Sequence, residues 1–200
     1  MEKKVRFLCD EIELSGLFEP GTGDVGVVVT HPHPVYGGDM YNPVVEAIVR
    51  AYRQRGYATL RFNFRGTGES TGAYDGGDGE QEDVSAALFF LSENGIRQVD
   101  LAGYSFGAWV CARGLENFGA VHRLMLVSPP VAFLDFDEVA ALGSLKLVVT
   151  GSEDELAPPD LIEKRLPAWN EEAQFRLIEG ADHFFFGFEK ELAEALRPFL

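Results

Sequence analysis

Val99-Asp100-Leu101-Ala102-Gly103-Tyr104-Ser105-Phe106-Gly107-Ala108-Trp109-Val110-Cys111-Ala112 passes from an apolar, strand-like run, through a serine between two glycines, into a run of helical character. The central Gly103-Tyr104-Ser105-Phe106-Gly107 fits the pattern G-x-S-x-G, and its context is the one the pattern needs. Small residues on both sides of Ser105 allow a tight, strained turn that lifts the hydroxyl above the end of a strand. The following helix then aims its free N–H groups and its dipole at the space above that hydroxyl. A serine between glycines can also be a plain helix cap, so the reading depends on what the rest of the chain supplies.

Working outward, short runs of Val, Leu and Phe alternate with longer stretches of helical period, the pattern of a mainly parallel α/β sheet. Val5 to Cys9 and Ile12 to Phe18 read as an opening antiparallel hairpin, and Gly21, Gly23 and Gly26 mark a turn before Val25 to Thr30. Val27, Val28 and Val29 in succession predict a strand buried on both faces. Asn42-Pro43 reads as a cap and first-turn proline of a helix that ends at Gly56. Tyr57 to Phe64 is a further strand, Arg65 to Gly79 a long Gly-rich loop, and Val84, Leu88 and Leu91 form the stripe of a second helix up to Gly95. Beyond the serine, a helix reaches about Phe118, followed by strands at Leu124 to Val127, Leu145 to Thr150 and Phe175 to Ile178. Helices at Leu161 to Leu166 and Leu192 to Phe199 flank the last of these. The 16 residues from Pro129 to Ser144 are too few for an inserted lid, so the whole of residues 1–200 reads as one domain with an open site.

A serine needs a base to take its proton and a carboxylate to orient that base, both from loops at the same sheet edge. After the strand ending at Thr150 comes Gly151-Ser152-Glu153-Asp154-Glu155, and after the strand ending at Ile178 comes Gly180-Ala181-Asp182-His183-Phe184-Phe185. Asp154 competes with Glu153 and Glu155, because three successive carboxylates can also form a solvated loop. The other histidines are His31, His33 and His122, the last just before a strand at its far end. A core histidine packed with Phe184, Phe185 and Phe186 is the alternative for His183.

With these segments in place, the chain resembles the α/β-hydrolase superfamily, in particular its small lidless bacterial members near the dienelactone-hydrolase and esterase branches. The resemblance runs from about Val5 to Leu200. It is carried by the segments around Ser105, Asp154 and His183, by His31-Pro32-His33-Pro34-Val35-Tyr36-Gly37-Gly38 onward, and by Phe62-Asn63-Phe64-Arg65-Gly66-Thr67-Gly68 onward. It implies an α/β-hydrolase fold with a mostly parallel sheet of about 7–8 strands, helices on both faces and no cap domain. It also implies a serine hydrolase acting through Ser105, His183 and Asp154 in the order Ser, Asp, His. The oxyanion hole of the superfamily takes one N–H from the residue after the nucleophile, here Phe106, and one from the loop after the third strand. His33 stands at the usual donor position of that loop. Pro32 and Pro34 have no N–H, and Val35 and Tyr36 remain alternatives. Tyr36 and Arg65 are candidate substrate contacts. Arg65 would meet a substrate carboxylate, against the competing reading of an ion pair with Glu69 or Asp83.

Charge and composition narrow the classes further. Seventeen Lys and Arg against 32 Asp and Glu give a net charge of −15, a field that repels nucleic acid and anionic membranes. Two cysteines, Cys9 and Cys111, are too few for a disulfide framework and suit a reduced, cytoplasmic setting. No run reaches the ~20 apolar residues of a membrane span. Gly21-Thr22-Gly23-Asp24-Val25-Gly26 matches a dinucleotide fingerprint but precedes a strand where the fingerprint needs a strand-to-helix turn, so it reads as a turn. His31 and His33 have a metal-like spacing without a third ligand nearby, so no metal and no cofactor is expected. The expected substrate is a small ester. A thioester, a small peptide, or ligand binding without catalysis are the alternatives.

Overall fold

The structure, a computed structural model, describes residues 1–139 and 141–200. The strands β1 (Lys3–Cys9), β2 (Ile12–Glu19), β3 (Val25–Thr30), β4 (Ala58–Phe62), β5 (Gln98–Tyr104), β6 (Leu124–Val127), β7 (Leu145–Gly151) and β8 (Gln174–Ile178) form one sheet in the order β1-β2-β4-β3-β5-β6-β7-β8. β2 is antiparallel to both β1 and β4, and every other pairing is parallel. Helices α1 (Pro43–Arg53), α2 (Asp78–Glu93), α3 (Phe106–Gly114), α4 (Pro159–Trp169) and α5 (Glu189–Leu196) cover the sheet.

Sheet order explains why helices lie on both faces. The chain steps one way from β3 to β4 and then back across β3 to β5, and crossovers of a single hand place the two connecting helices on opposite sides. Accordingly α1 and α5 pack into one core layer with Val27, Val29, Tyr104 and Met125, while α2, α3 and α4 pack into the other with Val28, Leu101, Leu126 and Val148. The three successive valines of β3 thus alternate between two cores, which is why the strand reads as a continuous apolar run. α1 begins as its sequence predicts: Asn42 Oδ1 accepts the N–H of Val44 at 2.9 Å, and Pro43 follows at the first position.

Some boundaries differ from the expectations. The fourth strand stops at Phe62, two residues early: Asn63 N–H still donates to the Ser15 carbonyl of β2, but the N–H groups after it leave the ladder, Phe64 donating to the His31 ring and Arg65 to the Asp83 carboxylate. α3 ends at Gly114, where the carbonyl accepts from Asn117 and Phe118 in a closing turn. α4 extends to Trp169 and includes Pro167. Described residues between β6 and β7 form turns and bends, with no helix or strand. Among the described residues, no helix is long and apolar enough to cross a membrane.

Candidate active site

Parallel strands deliver their C-terminal ends to one edge of the sheet, and the reversal of strand order between β3 and β5 opens a crevice there. His33 follows β3, Ser105 follows β5, Asp154 follows β7 and His183 follows β8. Four segments far apart in sequence therefore meet above the same edge.

Ser105 has φ 55° and ψ −120°, a conformation that costs a non-glycine residue on the order of 1–3 kcal/mol. Two glycines make the turn sterically possible. A Cβ on Gly103 would lie 2.6 Å from the Ala108 Cα, and one on Gly107 would lie 2.7 Å from the His31 carbonyl oxygen. The strain is held by two hydrogen bonds, from Ser105 N–H to the Val127 carbonyl at 2.9 Å and from Trp109 N–H to the Ser105 carbonyl at 3.2 Å.

The Ser105 hydroxyl lies 2.8 Å from His183 Nε2, and His183 Nδ1 lies 2.9 and 3.0 Å from the two oxygens of Asp154. Burial pushes the Asp154 carboxyl up, but the hydrogen bonds and charge of His183, together with the Ala157 N–H, outweigh it and hold the group below its usual range. An ionised carboxylate only accepts, so the Nδ1 nitrogen carries the proton and Nε2 is left to accept from Ser105. Asp154 is fixed by further donors, Leu156 N–H at 3.0 Å and Ala157 N–H at 2.8 Å. Glu153 and Glu155 are exposed and stand outside this row. Tyr104, in sequence only a variable position of the motif, donates its hydroxyl to the His183 carbonyl at 2.9 Å and so ties the histidine loop to the end of β5.

The loop after β3 has a specific hydrogen-bond allocation. Pro34–Tyr36 forms a 3₁₀ turn in which Tyr36 N–H and Gly38 N–H donate to the His33 carbonyl, Gly37 N–H donates to the Pro34 carbonyl and Val35 N–H donates to His33 Nδ1. Val35 and Tyr36, open alternatives in the sequence, are therefore occupied. The N–H groups of His33 and Phe106 have no acceptor among the described residues, and both residues line the cavity beside Ser105. Tyr36 lines it as well. Tyr74, on the loop after β4 and unsuspected from sequence, stacks on both His33 and Phe106 at centroid distances of 5.2 and 5.8 Å.

Arg65 is placed differently from the substrate-binding expectation. Its guanidinium is buried against α2, where Nε and Nη2 meet Asp83 at 3.0 and 2.9 Å and Nη2 meets Glu82 at 3.1 Å, and it does not line the cavity. Of the two ion-pair partners weighed, Asp83 is the one used; Glu69 pairs with Lys4 and Arg6 instead. His31 is also committed, since its Nε2 accepts the Phe64 N–H and its Nδ1 faces the Pro32 carbonyl. Among the described residues, no three His, Cys, Asp or Glu side chains are grouped to hold a metal ion.

The comparisons agree with this architecture. The profile of the alpha/beta hydrolase family matches residues 17–146. A Rickettsia prowazekii protein of uncharacterised function, RP471, is 32% identical over 183 residues, which cover 86% of this chain and 77% of the relative. An alpha-beta serine hydrolase homologue from Coxiella burnetii superposes with a TM-score of 0.91 at 34% identity, covering 99% of this chain and 97% of its own. XC6422 from Xanthomonas campestris, a serine hydrolase without a lid, superposes at 0.86 with 28% identity over 100% of this chain and 95% of its own. Strand order, the turn at Ser105, the family profile over residues 17–146 and a relative 32% identical over 183 residues agree, and the chain belongs to the alpha/beta hydrolase family.

Proposed function

We propose that the protein is a serine hydrolase of small carboxylic esters, with Ser105 as nucleophile, His183 as general base and acid, and Asp154 as the group that orients the imidazole. The observation that carries this reading is the unbroken row from the Ser105 hydroxyl through His183 to Asp154, opening on a cavity of about 480 Å³. In the first half-reaction the Ser105 Oγ–carbonyl bond forms as His183 Nε2 takes the hydroxyl proton, and the oxygen that gains charge is held by the N–H groups of Phe106 and His33. Collapse breaks the bond to the alcohol oxygen, which leaves with the proton from Nε2. In the second half-reaction water loses a proton to Nε2, attacks the acyl carbon and releases the acid, restoring Ser105. Asp154 stays ionised throughout and stabilises the imidazolium.

We place this activity in the cytoplasm. Cys9 and Cys111 are free and buried, and burial pushes their thiols up to about 11 and about 12, so both stay protonated and inert.

The test is labelling with a fluorophosphonate, mapping of the modified residue by mass spectrometry, and turnover of p-nitrophenyl acetate. Modification at Ser105, and loss of both signals in Ser105→Ala, is the expected result. A folded Ser105→Ala protein that keeps either signal overturns the assignment.

A further inference from the structure

The cavity beside Ser105 is lined by rings and carries no charge. Among the described residues that form it there is no Lys, Arg, Asp or Glu. Its wall starts at the two free N–H groups: the Phe106 ring lies 4.7 Å from His33, His33 lies 4.9 Å from Tyr36, and Tyr36 lies 6.2 Å from Phe133 at the mouth, centroid to centroid. Tyr36 and Phe133 keep 73% and 50% of their surface in solvent among the described residues. Large rings left wet beside a nucleophile form a surface that gains by covering itself with a ligand.

Direction along the cavity follows from the chemistry. The alcohol oxygen must face His183 Nε2 to receive its proton and the carbonyl oxygen must face the N–H groups of His33 and Phe106, which leaves the rest of the cavity, with Tyr36 and Phe133 in its wall, to the acyl group retained on Ser105. A carboxylate laid on that wall would give up part of its water and meet no cation. Arg65 is already occupied by Asp83. The loops 31–42, 128–144, 152–158 and 179–188 contain no Lys or Arg, while Asp39, Asp135, Asp137, Glu153, Glu155 and Asp182 lie on them.

We infer that the site takes esters whose acyl group is uncharged and aromatic, packed along His33, Tyr36 and Phe133, and that it rejects acyl groups bearing a carboxylate. This rests on the serine hydrolase reading above. Ring-on-ring packing distinguishes an aryl group from an alkyl chain of the same carbon count, and the uncharged wall distinguishes it from its own carboxylated form.

Methyl benzoate, methyl heptanoate and monomethyl terephthalate form a matched set. For each, kcat/KM is divided by the rate constant of hydroxide hydrolysis, and binding to Ser105→Ala is followed by ligand NMR line broadening. Benzoate is expected to exceed heptanoate by about tenfold and terephthalate by more than about thirtyfold, in turnover and in binding. In Tyr36→Leu/Phe133→Leu, which keeps apolar area but removes two rings, the benzoate-to-heptanoate ratio should fall to about one. Equal use of the three esters, or a ratio unchanged in the double variant, overturns the inference while fluorophosphonate labelling of Ser105 still stands. Selective binding of methyl benzoate without labelling at Ser105 supports the aromatic wall and instead defeats the hydrolase reading.

Discussion

His31 Nε2 accepts the N–H of Phe64 at 3.0 Å while its Nδ1 lies 2.7 Å from the Pro32 carbonyl, so one ring joins the end of β3 to the chain leaving β4. One nitrogen accepts and the other donates, a pairing that only neutral imidazole can make. It anchors the base of the loop that presents His33.

That arrangement predicts a pH-dependent stability. Full burial lowers the His31 pKa from 6.5 to about 4. The unfolded chain therefore binds a proton in this window that the folded protein does not, and stability declines as pH falls from about 6.5 to about 4, by roughly 3 kcal/mol in all. Asp154, held below its usual range, adds its own loss only at lower pH. Urea-unfolding midpoints measured across the window should fall steeply in the wild type and more shallowly in His31→Gln, whose amide oxygen can still accept the Phe64 N–H. Parallel slopes in the two proteins would rule out His31 as the source.

Asp154→Asn tests which carboxylate orients the base. The amide NH₂ would donate toward Nδ1, moving the imidazole proton to Nε2 and leaving Ser105 without an acceptor. Ester turnover should fall by about 10⁴. Glu153→Gln and Glu155→Gln, at exposed positions outside the hydrogen-bonded row, should stay within about twofold of wild type. A large loss at Glu155 with Asp154→Asn unaffected would transfer the role by one residue.

The sequence revealed those features of the fold that local chemistry determines. The glycines around Ser105 mark a turn that side chains would block, and the Asp154 and His183 loops follow directly on apolar runs that become β7 and β8. Hidden were the contacts decided by packing between distant segments. Asp83 and Glu69 were both open to Arg65 in the sequence, and only the placement of α2 beneath the loop, 18 positions on, decides for Asp83. Which N–H of residues 33–38 stays free depended on a 3₁₀ turn that no residue pattern announced. Tyr74 sits in a Gly-rich stretch where its aromatic ring is the one signal that it packs on His33 and Phe106.

Gly38→Ala probes that turn. Gly38 N–H bonds to the His33 carbonyl at 3.0 Å, and an added Cβ would collide with the Pro32 carbonyl oxygen and lie 2.9 Å from the His33 oxygen. These are backbone atoms, so the segment bearing the His33 N–H must shift. If that N–H holds the developing oxyanion, kcat should drop on the order of 10²–10³ with a smaller change in KM, and fluorophosphonate labelling should slow in parallel. A variant with wild-type kcat would move the donor role elsewhere.

The buried ion pair predicts an asymmetry in stability. Arg65 has 8% of its side chain exposed and Asp83 none, and Gly79 in the first turn of α2 leaves the space that the guanidinium fills. Removing the carboxylate alone, as in Asp83→Leu, strands a buried cation beside exposed Glu82 and should cost roughly 3–5 kcal/mol of unfolding free energy. Arg65→Met alone leaves a buried carboxylate that can take up a proton, so its loss should be smaller and should shrink further as pH is lowered toward the carboxylate range. The double variant removes both charges and should recover the part of the Asp83→Leu loss that comes from the stranded cation, while the backbone N–H at position 65 still lacks its Asp83 acceptor. Urea unfolding of the four proteins closes the cycle. Additive losses would mean that the two side chains act independently, whereas recovery in the double variant assigns Arg65 to holding the loop on α2 and leaves substrate recognition to the uncharged cavity.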